Sequence, residues 1–181
     1  MLICAEPVFR YGSLCFRLVE EADLEQIRAL RNGFSTWKQL TDPLPITRDG
    51  QRAWLARLGL RRDRMYFTVF DQVRPFVGYV RMDEYDRLHR SIRVGADVAP
   101  RFRGCGYGRR IIEAVKEYCF DTLNLHRVWL AVLETNGRAR GLYESQGFRE
   151  EGRYRKAIFR EGKYVDYILM SILEEEYRDR S

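Results

Sequence analysis

The chain has 181 residues, 45% of them hydrophobic and 32% charged, with a formal net charge of +6. That length suits one domain with a sizeable core, and no apolar run approaches the roughly 18 residues of a membrane span. The first residues, Met1 to Pro7, lack a basic region ahead of a long apolar stretch, so no signal peptide is read there. Cys4, Cys15, Cys105 and Cys119 form no C-x-x-C pair, and only His89 and His126 accompany them. The pattern argues against zinc and for reduced thiols in a cytoplasmic protein. A basic balance suits an anionic ligand. Mixed clusters such as Arg61-Arg62-Asp63-Arg64 favour a solvated basic surface over a nucleic-acid face.

In chain order, residues 1–12 read as an extended lead-in and Ser13 to Val19 as a first strand. Asp23-Leu-Glu-Gln26 is similar to a capping box and opens a helix with Leu24, Ile27 and Leu30 inward, closed by Asn32-Gly33. Pro43 and Pro45 punctuate a loop or short helical turn. Thr47 caps a helix carrying Trp54, Leu55 and Leu58. Met65 to Phe70 and Arg74 to Met82 predict a hairpin across Asp71-Gln-Val73, followed by a loop from Asp83 to His89. Ile92 to Val98 is the next strand. A glycine turn and a helix follow, with Ile111, Ile112, Val115 and Cys119 on one face. His126 to Leu133 is a buried strand. Residues 148–160 and 163–173 alternate as two long strands around Glu161-Gly162, ahead of a tail over 175–181. No linker or repeat interrupts the chain, which reads as one domain over 1–181.

The glycine turn, Pro100-Arg-Phe-Arg-Gly-Cys-Gly-Tyr-Gly-Arg-Arg110, places Gly104, Gly106 and Gly108 between a strand and a helix. Such a turn aims unpaired backbone N–H groups at an anion, and the helix start carries roughly half a positive charge. It is no Walker loop, since no Gly-Lys-Ser/Thr follows, and Arg109 stands where a dinucleotide fingerprint has its third glycine. The pattern is R-x-x-G-x-G over Arg103 to Gly108. About thirty residues on lies Asn136-Gly-Arg-Ala139-Arg-Gly-Leu142-Tyr143-Glu-Ser-Gln-Gly147-Phe148. There Asn136 is placed to cap a helix, Ala139, Leu142 and Tyr143 share a face, and Gly147 suits a left-handed end.

These two segments closely resemble the acyl-CoA pyrophosphate loop and the second signature, N-x-x-A-x-x-L-Y-x-x-x-G-F, of the GNAT superfamily of N-acetyltransferases. The resemblance spans about residues 13 to 175. It implies an α/β (α+β) fold: a central mixed, mostly antiparallel, seven-stranded twisted sheet flanked by about four helices. It also implies acetyl-CoA as co-substrate, without a metal. Arg103, Gly104, Cys105, Gly106, Tyr107, Gly108 and Arg109 would cradle the pyrophosphate, with Cys105 a small filler. Backbone at Ala96 and Val98 would pair with the pantetheine arm, and Asn136 would hydrogen-bond it. Tyr143 matches the tyrosine that faces the thioester sulfur as general acid.

Many GNAT enzymes carry a basic glutamate on the strand before the loop; Arg93 stands at that place. Glu84 ranks first among the alternatives and Asp97 second, with Asp83 beside them, and a well-positioned amine needs no dedicated base. Arg31, Asn32, Trp37 and Arg93 are the expected acceptor contacts, with Asp42 and Trp54 further candidates. The late strands resemble the branch holding spermidine, ribosomal-protein N-terminal and nucleotide-amino-sugar acetyltransferases. The leading expectation is acetyl transfer to the primary amine of a small molecule or amino sugar, by direct attack in a ternary complex. A polycation such as spermidine is disfavoured by Arg93. A protein N-terminal acetyltransferase and an inactive CoA-binding module are the alternatives. Neither membrane nor nucleic acid is expected as a partner, and the long final strands leave a homodimer open.

Overall fold

The computed structural model describes residues 6–42, 44–72 and 74–179. Its centre is an eight-stranded sheet in the order β1-β2-β3-β4-β5-β6-β8-β7. The strands are β1 (Phe9–Tyr11), β2 (Leu14–Leu18), β3 (Met65–Asp71), β4 (Arg74–Asp86), β5 (Ser91–Val98), β6 (Arg127–Leu133), β7 (Arg149–Arg160) and β8 (Lys163–Leu173). All neighbours are antiparallel except β5 and β6. The expected count was seven. The eighth is β1, which turns back at Gly12 to pair Phe9 with Phe16 where an extended lead-in was anticipated. Phe9 stacks on both Phe16 and Tyr118, so apolar packing holds this short strand.

Among the described residues six helices join the sheet: α1 (Leu24–Asn32), α2 (Phe34–Trp37), α3 (Arg48–Leu58), α4 (Tyr107–Glu117), α5 (Gly137–Ser145) and α6 (Glu174–Arg178). The last forms where a tail was anticipated. Leu24, Ile27 and Leu30 are buried, as the spacing predicts. The N-terminal box lies one turn earlier than expected, with the Glu20 amide donating to Asp23 at 2.9 Å. Thr47 caps α3 through the Gly50 amide at 3.0 Å. Ile111, Ile112 and Val115 of α4 are buried to within a few per cent, each such side chain contributing about 1.5–3 kcal/mol. Beyond Glu117 the helix widens into a π turn over Tyr118–Thr122 that buries Cys119 and Phe120.

Two boundaries differ from expectation in ways that matter for the site. β4 does not stop at Met82 but runs to Asp86 through an irregularity, so Asp83 pairs with Arg93 within the sheet. Glu84 sits at that irregularity with φ +54°. Cys105 and Cys119 are free thiols, whereas Cys15 is disulfide-bonded, correcting the reading of reduced thiols at that position. Cys4 and Pro43, and Val73 of the expected turn, lie outside the described residues. No helix of the described residues is long and apolar enough to cross a membrane.

Candidate active site

The parallel pairing of β5 with β6 extends only from Ser91–Arg127 to Arg93–Trp129. β5 then follows β4 as far as Gly78–Val98, while β6 follows β8 to Leu133–Tyr167. The two strands therefore part, and one edge of residues 94–98 is left without a strand partner. Two cavities fill the opening. The larger, about 530 Å³, is lined by the end of β5, the glycine loop and the starts of α4 and α5. The smaller, about 160 Å³, lies among Arg31 of α1, the segment after α2, β4 to β6, and Tyr167 of β8. They share Gln39, Ala96, Asp97, Asn136, Ala139 and Tyr143.

The larger cavity is built for an anion. Gly104 and Gly106 have φ of +82° and +81°, a conformation glycine alone adopts without strain. Among the described residues, the amides of Gly104, Gly106, Gly108 and Arg109 donate to no carbonyl. They converge at the start of α4, whose dipole favours negative charge. A Cβ on Gly108 would stand 3.3 Å from Leu142 Cδ2, so this glycine lets α4 and α5 close together. The side chains of the loop do other things. Arg103 donates through Nε to the Val98 carbonyl at 2.9 Å and through Nη1 to Ser35 Oγ at 2.9 Å, with Nη2 on Thr36 Oγ1. It fastens the loop to α2. Tyr107 points into the core, its hydroxyl on Asp71 at 3.1 Å. Cys105 is exposed and lines neither cavity. Arg109 lines the cavity while its Nε donates to Glu113 at 2.9 Å.

Where the cavities meet, Asn136 caps α5, its Oδ1 accepting from the Ala139 amide at 3.2 Å. Tyr143 is 8% exposed and lines both cavities. Burial first, then the negative charge of Asp97, push its phenol up to about 12 against the opposing pull of Arg81. Asp97 itself lies 3.4 Å from Arg31 and 3.8 Å from Arg81.

The expected acceptor contacts divide. Arg31, Arg93 and Asp97 line the smaller cavity. Arg93 is engaged there by Glu84 at 2.9 Å and Asp83 at 3.5 Å, over the face of Trp129. Glu84 is half-exposed and lines neither cavity, whereas the buried Asp83 does and accepts from the Tyr66 phenol. Asn32 spends its amide on both backbone groups of Ile46, each at 2.9 Å, and so pins the segment ahead of α3. Trp37 packs beside Phe34 and lines neither cavity. Trp54 stacks on Tyr66. Asp42 accepts from the Leu44 amide at 2.9 Å.

Arg138, Arg81 and Tyr167 are among the lining residues that escaped sequence reasoning. Arg138 lies in the first turn of α5 and faces the larger cavity. A cation at a helix start, where the dipole opposes it, is a sequence signal for a neighbouring anion. Arg81 and Tyr167 carry no such signal, because only strand register brings them to Gly95 and Leu133. Among the described residues no cluster of His, Cys, Asp or Glu could hold a metal.

A sheet that parts beside a helix start with open amides, and a buried phenol facing the gap, define an acyltransferase of the GNAT class. The sequence matches the acetyltransferase (GNAT) domain family over residues 13–149, and the chain belongs to that family. It is an acetyltransferase with acetyl-CoA as co-substrate. Spermidine N(1)-acetyltransferase of Vibrio cholerae is 33% identical over 173 residues, covering 94% of this chain and 98% of that one. A crystal structure of spermidine N-acetyltransferase from that organism, in complex with CoA and spermine, superposes with a TM-score of 0.87. It is 30% identical and covers 92% of this chain and 99% of its own. A dodecameric structure from the same organism gives 0.82 at 32% identity, with 94% and 99% covered.

Proposed function

We propose that residues 1–181 work as a single domain transferring acetyl from acetyl-CoA to the primary amine of a small molecule, by direct attack with both substrates bound. The observation that carries this reading is the meeting of the two cavities at Tyr143, Asp97 and Asn136. One cavity offers open amides to a pyrophosphate. The other is small, about 160 Å³, which suits a compact amine. The relatives named for spermidine, and the one crystallised with spermine, support an amine acceptor.

Acetyl-CoA supplies an activated thioester carbonyl. The amides of Gly104, Gly106, Gly108 and Arg109 hold its pyrophosphate, with Arg138 alongside. The free edge of β5 from Ala96 to Val98 holds the pantetheine arm, and Asn136 adds a side-chain hydrogen bond. Asp97 faces both cavities and takes the amine's proton. Tyr143 stays protonated at neutral pH and donates to the sulfur as charge builds there. A phenol near 12 lies above a thiol near 8.5, so Tyr143 stabilises the departing thiolate chiefly as a hydrogen-bond donor. The protein assembles with copies of itself, a reading supported by the dodecamer of the relative.

The test is a thiol-release screen over amines, amino sugars, polyamines and short peptides, on wild type and Tyr143→Phe. Turnover of a small amine is expected, with kcat about 10²- to 10³-fold lower in the variant and acetyl-CoA affinity kept. Because the phenol titrates so high, Tyr143 imposes no alkaline loss of rate below about pH 11. CoA binding without turnover on any acceptor would return the chain to an inactive CoA-binding module. Turnover of peptides alone would favour the N-terminal reading.

A further inference from the structure

The acceptor cavity is not walled by strands alone. One side of it is the run after α2, where Gln39, Leu40 and Thr41 line it. That run ends a chain of turns. The Thr36 and Trp37 amides donate to the Gly33 carbonyl at 2.9 and 2.8 Å, Gln39 to Thr36 at 2.9 Å and Leu40 to Trp37 at 3.0 Å. Gly33 to Leu40 are thereby tied into one unit. Its helix, α2, is only four residues long, too short to hold itself in water, so side chains from elsewhere set its place. Two arginines grip it, one towards each end. Arg160, the last residue of β7, donates through Nε to the Leu40 carbonyl at 3.0 Å, with Nη2 on the same oxygen. Arg103, in the glycine loop, reaches Ser35 Oγ at 2.9 Å and Thr36 Oγ1. Its Nε meanwhile holds the end of β5 at the Val98 carbonyl, 2.9 Å away.

The two grips differ in what surrounds them. Arg160 lines neither cavity, whereas Arg103 lines the larger one. Among the described residues the hydrogen-bond partners of Arg103 are all neutral oxygens. Burial draws its pKa below the usual guanidinium value; Asp97 opposes this and Arg138 adds to it. A pyrophosphate in that cavity brings negative charge to the guanidinium and fixes the loop that carries it. We propose that Arg103 is a positioning residue that couples the two cavities. Filling the anion cavity fixes Arg103, Arg103 fixes Ser35 and Thr36, and the tied turns hold Gln39 and Leu40 in place as the acceptor wall. By linkage, the amine and acetyl-CoA then tighten each other's binding by the same factor. This inference rests on the acetyltransferase reading of the same site. It gives the Arg103 side chain a duty that the backbone cradle does not perform.

Amide hydrogen exchange followed by NMR, with and without CoA, tests the coupling and needs no acceptor. CoA is expected to slow exchange at the Gln39 and Leu40 amides by about tenfold, a coupling of ordinary size. In the double variant Ser35→Ala/Thr36→Val that gain falls to less than about twofold. Calorimetry is expected to find CoA still bound there, which shows the variant folded. Ser35→Thr/Thr36→Ser keeps both hydroxyls and keeps the gain. Arg160→Gln loosens the unit in both states, so exchange is faster throughout but the gain from CoA survives. A merely structural role for Arg103 would instead make the Ser35→Ala/Thr36→Val variant exchange faster by the same factor with and without CoA. An amine turned over in the thiol-release screen adds a second readout: its KM at saturating acetyl-CoA rises about tenfold in that variant. No gain in the wild type with CoA bound would overturn the proposal. So would a gain that Ser35→Ala/Thr36→Val leaves intact, or one that Arg160→Gln abolishes equally. Failure of CoA to bind the wild type would sink the acetyltransferase reading instead, a distinguishable result.

Discussion

The two cavities meet at Tyr143 yet are made from different materials. The CoA side is made mostly of backbone: left-handed glycines, a helix start and a strand edge. Its key groups lie within Ala96 to Arg109 and Asn136 to Tyr143, two short stretches of sequence. The acceptor side is made of side chains from α1, β4, β5 and β8, far apart in sequence and brought together by strand register and by the packing of α1. A site made of backbone tolerates few sequences and therefore announces itself. One made of side chains on paired strands can change its charge by single substitutions without disturbing the sheet, so acceptor identity is where the fold is free to vary.

Asp97 faces both cavities and gives the largest effect that tests the division. Asp97→Asn is expected to lower kcat about 10- to 100-fold, with acetyl-CoA KM within about twofold. The loss shrinks as pH rises towards the amine's own pKa, because more of the amine then arrives neutral. A flat pH dependence of the mutant-to-wild-type ratio would remove Asp97 from proton transfer. It would also turn attention to the buried Asp83.

A smaller effect is expected from Gly106→Ala, and on one side only. At φ +81° a Cβ is strained even though nothing lies within 4 Å of it. The strain falls on the turn that aims the amides. Acetyl-CoA KM is expected to rise about tenfold with the acceptor KM unchanged, measured by varying each substrate at saturation of the other. A matching rise for the acceptor would mean that the two cavities are not separable.

The same contrast explains what the sequence made legible. The order of strands and helices, the caps at Thr47 and Asn136 and the glycine loop follow from local rules, and each is found where those rules put it. Local rules missed β1, which exists because Phe9 stacks on Phe16 and Tyr118, partners chosen by tertiary packing. They also ended β4 too soon, because Asp83-Glu-Tyr-Asp86 has the polarity of a loop while its pairing with β5 keeps it in the sheet. That boundary decides the acceptor side. It turns Asp83 inward and sets Glu84 at a positive φ against Arg93. No window of sequence shorter than the β4–β5 pair holds that information.

Gly95→Ala is the smallest and most local way to break the comparison. The added Cβ meets only the far end of the Arg81 side chain, at 2.7 Å from Nη2 and 3.2 Å from Cζ, so the guanidinium swings away while the strand stays paired. Stability changes little, since alanine loses less backbone entropy than glycine. The acceptor KM is expected to rise about threefold and acetyl-CoA KM to stay put. If the effect runs through Arg81, it vanishes when Arg81 is already glutamine: the Gly95→Ala and Arg81→Gln losses in kcat/KM then fail to add. Additive losses would mean that the alanine disturbs the edge of β5 itself. The acceptor side would then be partly a backbone site, like its neighbour.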